Sequence, residues 1–576
     1  MSDQPRMVPD WPANPFPNPG GISEGPAAWP VDPFDVRTTG PTEPLTRAEP
    51  AAPPPRQAGR GSSDLSFMAR GGVVNIASVA ASVLLNFALT LIVTRGFGTA
   101  VAGVFFEIVG LFQIISNAAE LGADAGFLRF IPRYRALNRT QDVRRVLHVG
   151  IWPALVGGAL IGWAMYAFAP QLGSLFFQTN GRADPLAVRF IKLLAPLVPL
   201  AGVSSVLMSA SRGFGAMLPT AVIENAGKSL LRFLAALAVV VLGLKTFALG
   251  VGWAFPIVIG LWIVAVWTHR LLRRAERRDR YSRRDTRRYR DLASEFWRFS
   301  APRGLVGALT TTQLWLDTLL VGGLLSTSEA AIYTVSTRFI AVSVLVIAAL
   351  NIVIAPQISA LMSMGEKRRA EGVYHTATEW IILSSYPPTF ALATFAPLLL
   401  SFFGPQYVQG QTVLMGLSLG ALFYLSTGPL VTVLVMGGKS GWSLFNQVAS
   451  LGTNIVLNLI LIPRMGINGA ALAWALTGVV GQGTALIEVK LFLGLSPYHR
   501  RAFLAALGTG VIYGLGGLLT RLLFGASWPA FVGYLAVASG VYAAFLWRFR
   551  GMFRLGELKR ALRDRGSERR GTLQPS

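Results

Sequence analysis

The sequence predicts an all-α, polytopic membrane protein of 14 spans. Three observations carry this. Of 576 residues, 52% are hydrophobic and only 14% charged, whereas soluble proteins carry about 25% charged residues. Fourteen mostly apolar runs reach the roughly 20 residues needed to cross a bilayer. The Lys and Arg residues concentrate in every second connecting loop.

Residues 1–65 stand apart. Fifteen of the 34 prolines lie between Pro5 and Pro55, in a composition that predicts a disordered, Pro-rich cytoplasmic tail. No apolar run there is long enough for a signal peptide. The predicted spans follow at 72–95, 101–120, 146–168, 186–209, 219–242, 247–268, 299–322, 328–353, 375–400, 410–436, 442–463, 468–491, 500–521 and 526–547. The second loop holds Arg129, Arg133, Arg135, Arg139, Arg144 and Arg145. The sixth, "RLLRRAERRDRYSRRDTRRYR", holds eleven Arg against three acids, and the eighth holds Lys367, Arg368 and Arg369. Odd-numbered loops are poor in cations. The positive-inside rule then places both termini in the cytoplasm. The net charge of +24 fits anionic membrane lipids as partners rather than nucleic acid, because the basic segments flank hydrophobic runs.

The first 12 spans read as a duplication. "NRTQDVRRVLH" and "GEKRRAEGVYH" follow the second and eighth spans, and Asn225, Ser229 and Trp253 recur as Asn446, Ser450 and Trp474 at a constant shift of 221. An even number of spans per copy makes the repeats parallel. This sets a first six-helix lobe at 70–269, a basic linker at 270–298, a second lobe at 299–492, an appended pair at 499–549 and a basic tail at 550–576.

Several chemistries are excluded. Cysteine is absent and only four His are present, which removes disulfides, thiolate sites and Cys nucleophiles and disfavours His-rich metal centres. Gly227-Lys228-Ser229 and Gly438-Lys439-Ser440 lack the upstream P-loop glycine, since Val222 and Val433 stand there. No H-E-x-x-H or G-x-S-x-G occurs. The chain is expected not to be an enzyme and to need no cofactor.

"LGADAGFLRFIPRY", "LDTLLVGGLLSTSEAAIYTVSTRF", "APQISALMSMGEKRR" and "GINGAALAWAL", together with the duplicated spans, resemble the multidrug/oligosaccharidyl-lipid/polysaccharide superfamily. Within it, the Wzx-type oligosaccharide flippases are most similar. The resemblance covers about residues 70–550. It implies a V-shaped bundle in the bacterial cytoplasmic membrane, working by alternating access. It also implies a polyprenyl-pyrophosphate-linked oligosaccharide as cargo, with a polysaccharide polymerase or glycosyltransferases as partners. The lipid II flippases and the MATE-type exporters are relatives and stand as alternatives. The former usually carry several Arg in the first span and the latter a carboxylate; Gly72 to Thr94 contains neither.

Charge inside a span is costly and marks candidate function. Glu224, Lys228 and Arg232 share one helix face in the fifth span. Lys228 and Arg232 flank its midpoint and are candidates to hold a pyrophosphate, with Glu224 neutralising the empty site. Arg129 and Arg133 at the cytoplasmic mouth are candidates to recruit an anionic head group. Asp317 and Arg338, at similar depth, can pair, either as a latch of the outer gate or as a static structural bridge. Glu107 is a candidate for H⁺ or Na⁺ coupling. Asn446, Ser450, Asn454 and Asn458 form a polar stripe suited to interhelical hydrogen bonds.

Overall fold

A computed structural model describes residues 61–179, 182–278 and 288–553. The predicted tail up to residue 60, the centre of the basic linker and the basic tail from 554 lie outside the described residues. Helix α1 (Gly61–Gly96) begins inside the segment assigned to the tail. It is followed by α2 (Thr99–Ala119), α3 (Ala123–Ala136), α4 (Thr140–Ala167), α5 (Ala169–Phe176), a two-residue hairpin of β1 (Gln178–Thr179) and β2 (Arg182–Ala183), α6 (Pro185–Leu194), α7 (Val198–Gly213), α8 (Lys228–Val241) and α9 (Phe247–Arg278). The second half holds α10 (Tyr289–Leu324), α11 (Thr327–Ser363), α12 (Lys367–Thr394), α13 (Ala396–Ser401), α14 (Gln411–Ser426), α15 (Leu430–Met436), α16 (Ser440–Met465) and α17 (Ile467–Glu488). Helices α18 (Arg500–Thr509), α19 (Gly516–Phe524) and α20 (Trp528–Arg548) end the described chain.

Eleven helical stretches are long and apolar enough to cross a membrane among the described residues. The remaining three predicted spans, 219–242, 299–322 and 375–400, are helical as well, but their charged and polar residues lower their hydropathy. These are the spans of Lys228 and Arg232, of Arg303 and Asp317, and of Glu379. The fifth begins with a π-helical stretch, Thr220–Gly227, a geometry that widens the turn and concentrates at functional sites.

Two features depart from the sequence reading. The second loop is not an open connector: its cationic stretch forms α3, whose Phe127, Phe130, Ile131 and Tyr134 are buried. The basic linker is flanked by helix far beyond the spans, because α9 runs to Arg278 and α10 starts at Tyr289. Trp152, Trp163, Trp262, Leu314 and Val241 lie exposed, as lipid-facing positions do.

The main core joins both halves. Phe105, Phe106 and Phe112 of α2 pack in one cluster with Tyr333 and Phe339 of α11 and Phe403 and Tyr407 beyond α13. Phe87 of α1 meets Phe339 and Phe403 edge-to-face at 5.3 and 5.1 Å between ring centres.

Candidate functional site

The fifth span presents two polar faces. On one, Asn225 donates to Ser78 Oγ at 3.0 Å, and Ser229 Oγ lies 2.8 Å from Ser82 Oγ and 3.2 Å from Asn86 Nδ2. These bonds tie it to α1. On the other, Lys228 is 7% exposed; its Nζ donates to Glu224 Oε2 at 2.6 Å and to Ser204 Oγ of α7 at 3.4 Å. Its stem lies over Gly260 of α9, where a Cβ would come within 2.7 Å of Lys228 Cε. Arg232, half-buried, donates from Nε to Trp253 O at 3.2 Å and stacks its guanidinium 4.0 Å from the Trp253 ring centre. The structure therefore places Glu224, Lys228 and Arg232 within the first half, each cation with a partner. Glu224 keeps 39% of its side chain exposed, so the open side of the ion pair is its carboxylate.

The Asp317–Arg338 pair does not form. Asp317 is buried on α10 and accepts from Asn458 Nδ2 at 2.8 Å and from the Tyr333 hydroxyl at 3.1 Å. Arg338 instead stands 4.9 Å over the Trp315 ring. Positions 315 and 317 are two residues apart, so they face different sides of a 3.6-residue helix, and depth alone did not decide which side Arg338 reaches. Both amide atoms of Asn454, and Oδ1 of Asn458, are buried without a hydrogen-bond partner among the described residues. A buried carboxylate among amide groups suits a proton chemically. Among the described residues, no set of three or more His, Cys, Asp or Glu side chains is arranged to hold a metal ion.

Glu107 is fully buried on α2, and neither carboxyl oxygen has a hydrogen-bond partner among the described residues. It presses on α10, since a Cβ at Gly322 would stand 2.3 Å from Glu107 Oε2. This contact belongs to a seam that runs along α2 and the part of α10 from Ser300 onward. Gly103 meets Thr327 O, Gly110 meets Trp315, and Gly122 meets Gly304 and the Ser300 carbonyl. At the Thr99 end a latch unseen in the sequence closes a second seam: Arg95 of α1 donates to Phe402 O through Nε and Nη2 at 2.9 and 2.8 Å.

At the other end of the seam Arg133 pairs with Glu295 of α10 at 2.7 Å. Arg129 does not join it. Its guanidinium lies 4.2 Å from the centre of Phe299, and Arg303 lies 4.2 Å from the same ring. The sequence reading missed Arg303 and Glu295, because contact between residues some 170 positions apart leaves no trace in spacing. Glu379 is 1% exposed and bonded to His499 Nε2, and Glu488 accepts from Asn446 Nδ2 at 2.6 Å.

A multi-span helical bundle with paired charge inside its spans is a polytopic membrane protein. The chain belongs to the polysaccharide biosynthesis protein family, whose pattern it matches over residues 105–410, just over half its length. It is similar to the probable flippase AglR of Haloferax volcanii, 29% identical over 175 residues, a match that covers 36% of that relative. It is also similar to the lipid II flippase MurJ of Bacillus subtilis, 22% identical over 67% of this chain and 75% of MurJ. Among solved structures, a lipid II flippase MurJ in an inward closed conformation superposes with a TM-score of 0.65 over 83% of this chain and 99% of that one. An inward-facing MATE family transporter of the MOP superfamily reaches 0.58 over 73% and 98%. At 13% and 16% identity these likenesses show the fold, and they agree with the superfamily resemblance read from the sequence motifs.

Proposed function

We propose that the protein is a flippase that carries a polyprenyl-pyrophosphate-linked oligosaccharide across the cytoplasmic membrane by alternating access, for surface polysaccharide synthesis. The observation that carries this reading is the seam between the halves. Backbone contacts at Gly103 and Gly122 let two rigid bundles lie against each other at both ends of α2, and packed interfaces of this kind have discrete arrangements rather than graded ones. Membership in a polysaccharide biosynthesis family supports a glycan cargo.

In this reading the chain has 14 spans, both termini in the cytoplasm, and two parallel six-helix lobes. Repeated contacts support the lobes: Ser229 bonds to Ser82 of the first helix, while its counterpart Ser450 accepts from Gln313 of the first helix of the second half at 2.8 Å. Lys228 rests on Glu224 until a pyrophosphate displaces the carboxylate, and Arg232 extends the cationic stripe. Asp317 with Asn454 and Asn458, or the unpartnered Glu107, couples an ion to the transition.

The test is transfer of a fluorescent polyprenyl-pyrophosphate oligosaccharide in proteoliposomes. Lys228→Ala combined with Arg232→Ala is expected to slow transfer by about tenfold or more, as for loss of charge-assisted bonds. An unchanged rate removes this site. Lipid II as cargo is the second reading, favoured by the likeness to MurJ over two thirds of the chain; faster transfer of lipid II than of the oligosaccharide lipid in the same vesicles decides for it.

A further inference from the structure

We infer that Arg129 and Arg303 form an anion clamp across the seam, which binds a phosphate group and thereby closes the end of the transporter at which α3 meets α10. This rests on the alternating-access reading above and adds a regulating ligand site to it.

The geometry singles out these two residues. Arg129 comes from α3 in the first half and Arg303 from α10 in the second. Both guanidinium carbons stand 4.2 Å from the centre of the Phe299 ring, so they are separated by at most twice that distance. Both are exposed, and among the described residues neither has a carboxylate partner. The neighbouring cations differ: Arg133 is bound to Glu295, and Arg144 to Glu276 at 3.1 Å. Two like charges held this close across a movable interface oppose its closure. The faces of Phe299 offset part of that repulsion through cation–π attraction, but they add no negative charge.

A phosphate supplies what is missing. It carries acceptors for both planar forks, each bond about 2.8 Å long, and within the available separation one phosphate reaches both. The site exists only while the seam is closed. Gly122, next to α3, seats against the backbone of Gly304, the residue beside Arg303; when that contact parts, the two arginines part with it. Anion binding and closure therefore favour each other, and by linkage each strengthens the other by the same factor. The chemistry suits either the phosphate of an anionic bilayer lipid or the pyrophosphate of an arriving lipid-linked cargo.

The test uses the full chain, which has no native cysteine, with spin labels at Leu137→Cys in the first half and Arg368→Cys in the second. Inter-label distances are measured with no sugar lipid present. In zwitterionic nanodiscs, millimolar inorganic pyrophosphate is expected to raise the ratio of closed to open molecules by about tenfold, a usual allosteric coupling. The Arg129→Gln/Arg303→Gln double variant should lose this response, and Arg303→Lys, which keeps charge but not the fork, should retain part of it. Nanodiscs containing phosphatidylglycerol form the second arm: closure there without pyrophosphate assigns the site to bilayer head groups, and closure by pyrophosphate alone assigns it to a cargo-like diphosphate. No distance change in either arm, or an equal change in a double variant that melts at the wild-type temperature, overturns the clamp. Sugar-lipid transfer is measured separately, so a failed clamp leaves the flippase reading standing, and a failed transfer with normal closure counts against that reading alone.

Discussion

Replacing Gly103 by alanine should force the seam between α2 and the α10–α11 turn apart at one end only. A Cβ at Gly103 would lie 1.7 Å from Thr327 O, and real Cβ atoms essentially never come within 3.0 Å of another heavy atom. The carbonyl or the helix must therefore move by more than 1 Å. Thr327 O belongs to the backbone at the start of α11, so no side chain can rotate away to make room. Overpacking of this kind costs about 1–3 kcal/mol, which shifts the ratio of closed to open seams by about one to two orders of magnitude. Gly122 lies 19 residues further along, about 28 Å on a helical rise, and should act in the opposite sense. There a Cβ would stand 2.1 Å from Ser300 O, and the φ of +82° adds left-handed strain of about 1–2 kcal/mol. In the proposed orientation Gly103→Ala opens the outer end and Gly122→Ala the cytoplasmic end. The assay is distance measurement between spin labels at Ala100→Cys and Leu324→Cys, both at exposed positions, in each background. Identical distance distributions in wild type and Gly103→Ala, with an unchanged melting temperature, would refute the claim that this seam is held at van der Waals contact.

Asp317→Leu should lower the melting temperature, because it strands the buried Asn458 amide and Tyr333 hydroxyl that donate to it, at about 1–3 kcal/mol for each unsatisfied group. Asp317→Asn should cost less, and thermal unfolding in detergent compares the two. His499→Ala leaves Glu379 buried without its bonding partner and should destabilise the junction of α12 with α18. Glu379→Gln in the same chain should recover much of the loss, as read by protease protection of α18–α20; equal sensitivity of single and double variants would contradict this.

What was legible in the sequence was whatever depends on local composition. Runs such as 247–268 announce themselves because a bilayer accepts few other sequences. Helix α3 was missed for the same reason: its Arg residues assigned it to a loop, although Phe127, Phe130, Ile131 and Tyr134 already carried the helical spacing of a buried face. Glu224 and Lys228, one turn apart, were read together and are found together at 2.6 Å. Asp317 and Arg338 are neighbours only in depth. Which helix face turns toward which is settled by packing between distant segments, and a single sequence does not encode it in any spacing.

Two kinds of cation can be told apart by their partners, and the difference bears on mechanism. Lys228, Arg133 and Arg144 each hold a carboxylate, and such pairs contribute little beyond fixing geometry when exposed. Arg129 and Arg303 hold only the face of a ring. Their positions follow from the glycine contact beside them. Gly122 takes the left-handed conformation that ends α2 and starts α3, and it brings α3 within backbone contact of Gly304. The same turn that permits this close approach between the halves thus delivers Arg129 to Arg303. A side chain on either glycine would hold the helices apart and relieve the repulsion; with both as glycine, closure is sterically open but electrostatically opposed. That combination leaves the seam poised, and an anion is the simplest agent that removes the opposing term without adding bulk between the helices.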